Sequence, residues 1–165
     1  MRVLGIDTSL RSTGVGVVDA AGSRLSAVEF GRIHNADHLL LSECLRRVGG
    51  GIRELIERTR PEIAAIEDIF FCKNVKTAMI LGEARGVVIA ACAGAGLPVY
   101  EYAPRRVKQA LVGHGAADKS QVRRMVMNLL HLTDEPQEDA GDALAIAICH
   151  LHSMSPVPEL APKPI

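Results

Sequence analysis

The stretch Arg2-Val3-Leu4-Gly5-Ile6-Asp7 decides how the rest of the chain folds. Its aliphatic residues follow one another without polar alternation, which is typical of a strand buried on both faces. The strand ends in a carboxylate, and an unpaired charge at a buried strand end is costly. Asp7 therefore either starts the turn Asp7-Thr8-Ser9, for which Asp is well suited, or lies beside a cation. The choice depends on whether other acids arrive at the same place.

Composition predicts one folded domain in a reducing compartment. A chain of 165 residues suits a single domain with a sizeable core. We expect no membrane span, because no long uncharged apolar stretch stands out, and no signal peptide, because the N-terminus runs directly into Arg2 and Asp7. The four cysteines lie far apart without a CxxC pair, which favours buried reduced thiols over disulfides or zinc ligands. These features indicate a cytoplasmic protein.

Charge is balanced over the whole chain but uneven along it. Residues 103–124 carry six bases and one acid, whereas residues 134–142 carry five acids and no base. Such neighbouring stretches would suit a protein that holds a polyanion and places cations against it. They are equally typical of two solvated helix faces, so the pattern alone leaves both interpretations open.

The order of predicted elements indicates an α/β fold. We expect strands at 2–7, 13–19, 24–33, 63–67 and 98–102, and helices at 37–60, 74–95, 104–112, 119–131 and 136–152. Gly49-Gly50-Gly51 should weaken or bend the first helix, at about 1 kcal/mol for each glycine. The order predicts one domain over 1–153, a mixed five-stranded sheet flanked by helices, followed by a proline-rich disordered tail over 154–165.

Acids recur where elements meet the core. The apolar strand 63–67 ends in Glu67, as the first strand ends in Asp7, and adjacent parallel strands would place these carboxylates side by side. Asp139 and Asp142 are three apart on a predicted helix and therefore share a face. That pair has a simpler explanation as favourable charge at a helix N-terminus. It does not explain the two strand-end acids, however.

Four carboxylates from three segments form the hard oxygen ligand set that Mg²⁺ or Mn²⁺ prefers. Without a cation, like charges so placed would repel and raise a pKa. Two such ions roughly 4 Å apart would activate a water and stabilise the leaving oxygen in phosphodiester cleavage.

Several motifs, read in order, resemble one family. They are GIDTSLRSTGVGVV, AAIEDIFFCKN, LGEARGV, YAPRRVKQALVG, ADKSQV and EDAGDALAIAICH, within residues 2–152. Together they resemble the RuvC family of bacterial Holliday-junction resolvases. The resemblance implies an RNase H-like fold, a homodimer, and Mg²⁺-dependent symmetric nicking of four-way DNA junctions in recombination and repair. It also implies work alongside the RuvA–RuvB branch-migration motor.

The resemblance assigns roles residue by residue. The family's catalytic acids fall on Asp7, Glu67, Asp139 and Asp142, with Asp7 bridging two metal ions. Some relatives have His where this chain has Asp139.

Basic and aromatic positions also match. Lys119 would stabilise developing phosphate charge, Lys108 would hold the DNA backbone, and Phe70 would meet unstacked bases near the crossover. Arg105 and Arg106 are expected phosphate contacts. One departure is visible, because Thr8-Ser9 stands where the family usually has Pro-Gly.

Other residues have plainer interpretations. His150 and His152 lie on different faces of a helix, so we expect core or surface roles rather than metal binding. Glu83 and Arg85 are expected to form a helix-surface pair. The helix over 74–95 is rich in small apolar residues and is the predicted dimer interface, since a two-fold dimer supplies the two matched cuts that a junction needs.

Other functions remain to be weighed against a resolvase. ATP-binding phosphotransferases of the actin and Hsp70 group also open with a GID-type strand, but they need two domains and a second glycine-rich phosphate loop. A non-catalytic junction-binding scaffold would require the four acids to be incidental. Within the nuclease class, the alternative is an RNase H-like enzyme that acts on RNA–DNA hybrids or RNA ends.

Overall fold

A computed structural model describes residues 1–68, 74–155, 159 and 161–165. Its centre is one five-stranded sheet, ordered β3-β2-β1-β4-β5. The strands are β1 (Arg2–Asp7), β2 (Ser12–Ala21), β3 (Arg24–His34), β4 (Ile63–Glu67) and β5 (Val99–Tyr102). The first three form an antiparallel meander, and β4 and β5 add in parallel to β1. The predicted mixed sheet is confirmed.

Five helices cover this sheet. They are α1 (Leu41–Thr59), α2 (Val75–Gly94), α3 (Pro104–Val112), α4 (Lys119–Leu130) and α5 (Glu138–Ser153). Each predicted helix is present within a few residues of its expected bounds. The starts of α2 and α4 have chemical causes, because the side chains of Asn74 and Asp118 accept hydrogen bonds from backbone amides of the first turn.

Helix α1 differs from its prediction at Gly49-Gly50-Gly51, where we expected weakness or a bend. The helix runs without interruption from Leu41 to Thr59. A Cβ added to Gly49 would lie 2.8 Å from Val87 of α2, and one added to Gly51 would lie 2.8 Å from Ile33 of β3. These two glycines therefore allow close packing on both neighbours, which offsets their low helix propensity.

Helix α5 packs directly on β1, which ends in Asp7, and on its neighbour β2. A Cβ added to Gly5 would lie 2.0 Å from the carbonyl oxygen of Ala143, and one added to Gly14 would lie 2.0 Å from that of Asp139. The centre of α5, from Ala143 to His150, is buried. Its side chains join a core on one face of the sheet, while α1 and α2 cover the other face.

Helix α2 is more apolar than the sequence analysis indicates. By length and composition alone, Val75–Gly94 is apolar enough to cross a membrane, with a mean hydropathy of 1.4, although it carries Lys76, Glu83 and Arg85. Only 22% of that stretch is buried in the structure. The buried residues Ala84, Val88, Ala91 and Cys92 form the side on which it packs. A large apolar area of α2, including Val75 and Met79, thus faces outward.

The cysteines and the chain end complete the fold. Cys44, Cys92 and Cys149 are free and buried, as predicted, and Cys72 lies outside the described residues. The division into a domain over 1–153 and a disordered tail over 154–165 stays a prediction. At the end of that tail, the amide of Ile165 donates a hydrogen bond to the carbonyl of Val99 on β5.

Gly14→Ala is expected to destabilise the protein by about 1–3 kcal/mol or more, because the new methyl group would press on the backbone of α5. Urea unfolding monitored by circular dichroism measures this change. Gly31→Ala on the neighbouring strand is the matched control, since nothing lies within 4 Å of its added Cβ. Equal stability of the two variants would contradict the packing argument.

Candidate active site

The ends of β1 and β4 bring two acids together. The parallel pairing of these strands runs from Val3 opposite Ile63 to Ile6 opposite Ile66, so the next residues, Asp7 and Glu67, are neighbours. This is the arrangement that the sequence predicts for the two strand-end acids. Both side chains line a cleft of about 410 Å³.

Asp142 of α5 completes the acidic part of that cleft, and two lysines face it. Its full lining is Asp7, Glu67, Pro104, Val107, Lys108, Lys119, Val122, Asp142, Ala145 and Ile146. Five separate elements contribute to it: the ends of β1 and β4 and the helices α3, α4 and α5. Five of the predicted site residues therefore share one cavity.

Asp139 lies beside this cleft rather than among its lining residues. The hydroxyl of Ser12 on β2 donates a hydrogen bond to the Asp139 carboxylate, and the Asp139 backbone contacts β2 at Gly14. Its charge still acts on the site, because it helps to raise the pKa values of Asp7 and Asp142. Ser12 is a contact that the sequence analysis missed, since a serine in a strand gives no signal of what it faces.

The acids raise one another's pKa. Burial is the main cause that raises the pKa of Asp7 to about 7, followed by the charges of Glu67, Asp142 and Asp139. Burial also raises the pKa of Glu67 and of Asp142, with the negative charge of Asp142 adding to the effect on Glu67. Negative charge in this cleft therefore exceeds what the protein itself compensates.

Lys119 and Lys108 supply the positive charge of the cleft. Lys119 is the first residue of α4, which Asp118 caps in a reciprocal pair with Gln121. Its Nζ lies 2.6 Å from Oε1 of Glu138 and 3.7 Å from Oδ2 of Asp142. The hydrogen bond to Glu138, followed by the charge of Asp142, raises the pKa of Lys119. Lys108 on α3 opposes the rise of the Glu67 pKa.

Two other predicted DNA contacts, Arg105 and Arg106, are exposed on α3 and do not line the cleft. Nη2 of Arg106 lies 3.3 Å from Oγ of Ser153, at the opposite end of α5 from the acids. Phe70 lies outside the described residues. The roles of these three residues stay predictions.

The histidines have the structural roles that the sequence predicts. His150 is fully buried, and its Nδ1 lies 2.8 Å from the hydroxyl of Tyr102. Burial lowers the pKa of His150 to about 4, so it is a neutral core residue at physiological pH. His152 is exposed, with Nδ1 3.0 Å from the carbonyl of Ala110. Neither residue lines the acidic cleft.

Arg85 is the clearest site-related residue that the sequence analysis placed wrongly. We expected a surface pair with Glu83, but the Arg85 side chain is only 12% exposed. It donates a hydrogen bond to the backbone carbonyl of Glu67 and forms an ion pair with Glu101. An arginine inside a largely apolar helix was the available signal, but its partners on β4 and β5 depend on the tertiary fold.

The chemistry of the donors fits a hard divalent cation. The acidic side chains of the cleft are all carboxylates, which are the ligands that Mg²⁺ and Mn²⁺ prefer. Burial and the neighbouring acids raise the pKa of Asp7 to about 7 despite the nearby Lys119, so a cation would relieve the repulsion that remains. Within the described part of the chain, no three acidic, histidine or cysteine side chains stand close enough to form a ready-made metal cage. The set is therefore suited to a cation in composition and charge, and side chains would move to bind it.

An acidic cleft at the edge of a mixed sheet, facing two lysines, defines the chain as an RNase H-like protein with a nuclease-type site. The family model "Crossover junction endodeoxyribonuclease RuvC" matches residues 3–150. The chain belongs to the RuvC family, whose members are endodeoxyribonucleases, hydrolases that resolve Holliday junctions in DNA recombination.

Individual relatives support this assignment. The chain is 47% identical over 153 residues to a crossover junction endodeoxyribonuclease RuvC of Citrifermentans bemidjiense, covering 93% of each chain. The RuvC of Pseudoalteromonas translucida is 49% identical over 159 residues, covering 96% of this chain and 91% of the relative. The solved structure of T. thermophilus RuvC in complex with Holliday junction substrate superimposes with a TM-score of 0.92 at 35% identity, covering 100% of this chain and 99% of that one.

The raised pKa of Asp7 predicts how stability depends on pH without divalent cations. The folded protein holds this proton up to about pH 7, whereas an unfolded aspartate releases it near pH 4, so stability falls as pH rises between these values. Asp7→Asn removes the charge and is expected to stabilise the cation-free protein at pH 8 by about 1–3 kcal/mol. Thermal unfolding in EDTA at pH 5 and pH 8 measures both effects.

Adding Mg²⁺ at pH 8 should reduce the difference in stability between Asp7→Asn and the wild type, because a cation stabilises the wild-type carboxylates and does little for the variant. A variant that is less stable than the wild type at pH 8 in EDTA would contradict the excess of negative charge in the cleft.

Proposed function

We propose that the chain makes paired, symmetric nicks in four-way DNA junctions, and that it uses Mg²⁺, or Mn²⁺ in its place, to do so. The observation that supports this proposal is the single cleft in which Asp7, Glu67 and Asp142 face Lys108 and Lys119. The solved relative from T. thermophilus is described in complex with a Holliday junction substrate. The same substrate suits this chain, because the match covers its full length.

Two cations per site suit the arrangement of the acids. The charges of both Glu67 and Asp142 act on Asp7, so Asp7 is the residue best placed to serve both ions. Glu67 and Asp142 would each help to hold one ion, and Asp139 would assist from beside β2. When bound, a pair of such cations activates a water and stabilises the leaving oxygen of the phosphodiester.

The protein's own residues prepare this chemistry. Asp7 would have to be ionised to hold a cation, so cation binding should strengthen as pH rises toward about 7. Asp139 is held toward β2 by Ser12, which keeps its negative charge near the other acids without blocking the cleft.

Lys119 is placed to hold the phosphate that is cut. Its side chain is 66% exposed and is paired with the exposed Glu138, so an incoming phosphate can replace that carboxylate as its partner. At the same time Lys119 lies 3.7 Å from Asp142, which keeps its charge at the mouth of the cleft. Lys108, on the α3 side of the cleft, would hold a neighbouring stretch of the DNA backbone.

The family resemblance supports one further DNA contact, and we propose that Phe70 stacks on unpaired bases near the crossover. The basic stretch over 103–124 supports two others, and we propose that Arg105 and Arg106 position DNA through its phosphates. From the family we also propose that the protein works in the cytoplasm with the RuvA–RuvB branch-migration complex.

A homodimer would supply two matched sites. Each chain has one acidic cleft, whereas resolving a junction takes two cuts in symmetric relation. The surface of α2 around Val75 and Met79, which are 76% and 63% exposed, is apolar and faces away from the domain. A second copy packed on this surface would remove it from water. Burial between two copies would also explain why α2 is as long and as apolar as a membrane-spanning helix.

The proposed activity is tested by nicking of a synthetic four-way junction with Mg²⁺, with linear duplex and an RNA–DNA hybrid as parallel substrates. We expect paired, symmetric nicks in the junction only. Asp7→Asn should bind the junction but lose at least 100-fold in nicking rate, because it removes the carboxylate that would serve both ions.

Hybrid cleavage without junction preference would instead identify a nuclease that acts on RNA. Nucleotide hydrolysis with no cleavage of any of these substrates would overturn the nuclease proposal and favour a phosphotransferase.

The proposed dimer is tested with Met79→Asp, which places a charge on the exposed face of α2. We expect the wild type to sediment as a dimer and the variant as a folded monomer with an unchanged circular dichroism spectrum, because the side chain is mostly exposed within one chain. Leu40→Asp, at a residue 72% exposed just before α1, is the matched control and should remain a dimer. A wild-type monomer at micromolar concentration would contradict the proposal.

A further inference from the structure

Arg85 links the middle of α2 to β4, which ends at the acidic cleft, and to the neighbouring strand β5. Its guanidinium donates a hydrogen bond to the backbone carbonyl of Glu67, the last residue of β4. The same group forms an ion pair with Glu101 of β5. Glu101 stands opposite Ile66 in the pairing of β4 with β5, immediately before the pair of Glu67 with Tyr102. One side chain therefore joins three elements at the position of one acid.

This contact lies where sheet pairing no longer fixes both sides of β4. The register with β1 ends at Ile6 and Ile66, one residue before Glu67. On the other side, the amide of Asp68 donates to the carbonyl of Tyr102 at 3.0 Å, so β5 holds the chain just beyond Glu67. Arg85 adds a charged donor to the Glu67 carbonyl at this point, and charge-assisted hydrogen bonds are stronger and more directional than neutral ones.

Burying a charged arginine side chain costs free energy unless an acid pairs with it. The side chain is only 12% exposed, and loss of solvation lowers the pKa of Arg85. Glu101 pairs with the guanidinium, and the negative charge of Asp68 acts against the fall of its pKa. A helix that only had to pack on α1 would not need a charge here, since its neighbouring buried residues Ala84 and Val88 are apolar.

We propose that Arg85 is a positioning residue that fixes the backbone of Glu67 and thereby the direction in which its carboxylate enters the cleft. Arg85 contacts the main chain of Glu67 rather than its carboxylate, so it acts through geometry. The inference rests on the proposed function in one respect, namely that the Glu67 carboxylate binds a divalent cation. Residues that orient metal ligands typically change metal affinity or activity by about 10–100-fold when they are removed.

The test compares Arg85→Gln with the wild type in the full chain. Isothermal titration calorimetry with Mn²⁺ measures cation affinity without any reaction, and junction nicking is measured as a function of Mg²⁺ concentration. We expect about tenfold weaker Mn²⁺ binding, a higher Mg²⁺ concentration at half-maximal rate, and junction binding in EDTA equal to that of the wild type.

Two further variants keep the test valid if Arg85→Gln fails to fold. Arg85→Lys retains one positive charge but cannot reach both partners with a planar fork, so it should recover part of the affinity. Glu101→Gln leaves Arg85 on the Glu67 carbonyl without its ion pair and should give a smaller loss than Arg85→Gln. Arg58→Gln is the matched control, because Arg58 pairs with Glu29 on an exposed surface outside the cleft. Its loss should change neither the Mn²⁺ affinity nor the Mg²⁺ dependence of nicking.

Several outcomes would overturn the inference. One is unchanged Mn²⁺ affinity in a folded Arg85→Gln variant, including a variant that only loses unfolding free energy. Another is a loss that disappears at protein concentrations at which sedimentation shows a restored dimer, since the effect would then come from α2 association. If the wild type binds Mn²⁺ but cuts no junction, the proposed function fails, and the calorimetry still decides the role of Arg85.

Discussion

The close approach of α5 to β1 and β2 is the constraint on which the rest of the structure depends. Gly5 and Gly14 have no side chain, so the backbone of α5 lies directly on β1 and β2, and Gly16 leaves room for the side chain and amide of Leu144. The N-terminal turn of α5 then lies at the strand end that carries Asp7, and Asp142 reaches the same cleft as Glu67. A larger residue at any of these three positions would lift α5 and separate its acids from the strand acids.

This packing concentrates negative charge at the edge of the core. The pKa of Asp7 is raised to about 7, mainly by burial and then by its acidic neighbours, and this electrostatic cost is retained in the folded protein. The lysines compensate from α3 and α4, outside the sheet, and both remain accessible to a phosphate. The site thus combines acids fixed by the core with cations on the helices that border the cleft, an arrangement suited to cations and a polyanionic substrate together.

Much of this was available from the sequence. The run Arg2–Asp7 and its counterpart Ile63–Glu67 predict two buried strands that end in acids, and the structure confirms their parallel pairing. The sequence predicts five helices within a few residues of α1 to α5, and the clearest helical spacing of apolar residues is that of α1. Asp7, Glu67 and Asp142 were identified together because strand ends and a buried helix start are local features that the sequence records directly.

Only the tertiary structure decided what these elements contact. The glycines of α1 indicated weakness, yet their lack of side chains is what admits Val87 and Ile33. Arg85 indicated a surface position, yet it reaches Glu67 and Glu101 across two strands. Asp139 shares a helix face with Asp142, but its hydrogen bond to Ser12 holds it beside β2. The sequence by itself determined which elements form and which acids end them, because those depend on neighbours along the chain. Contacts between residues far apart in sequence depend on how closely the elements pack, and that distance is set only when the whole core is assembled.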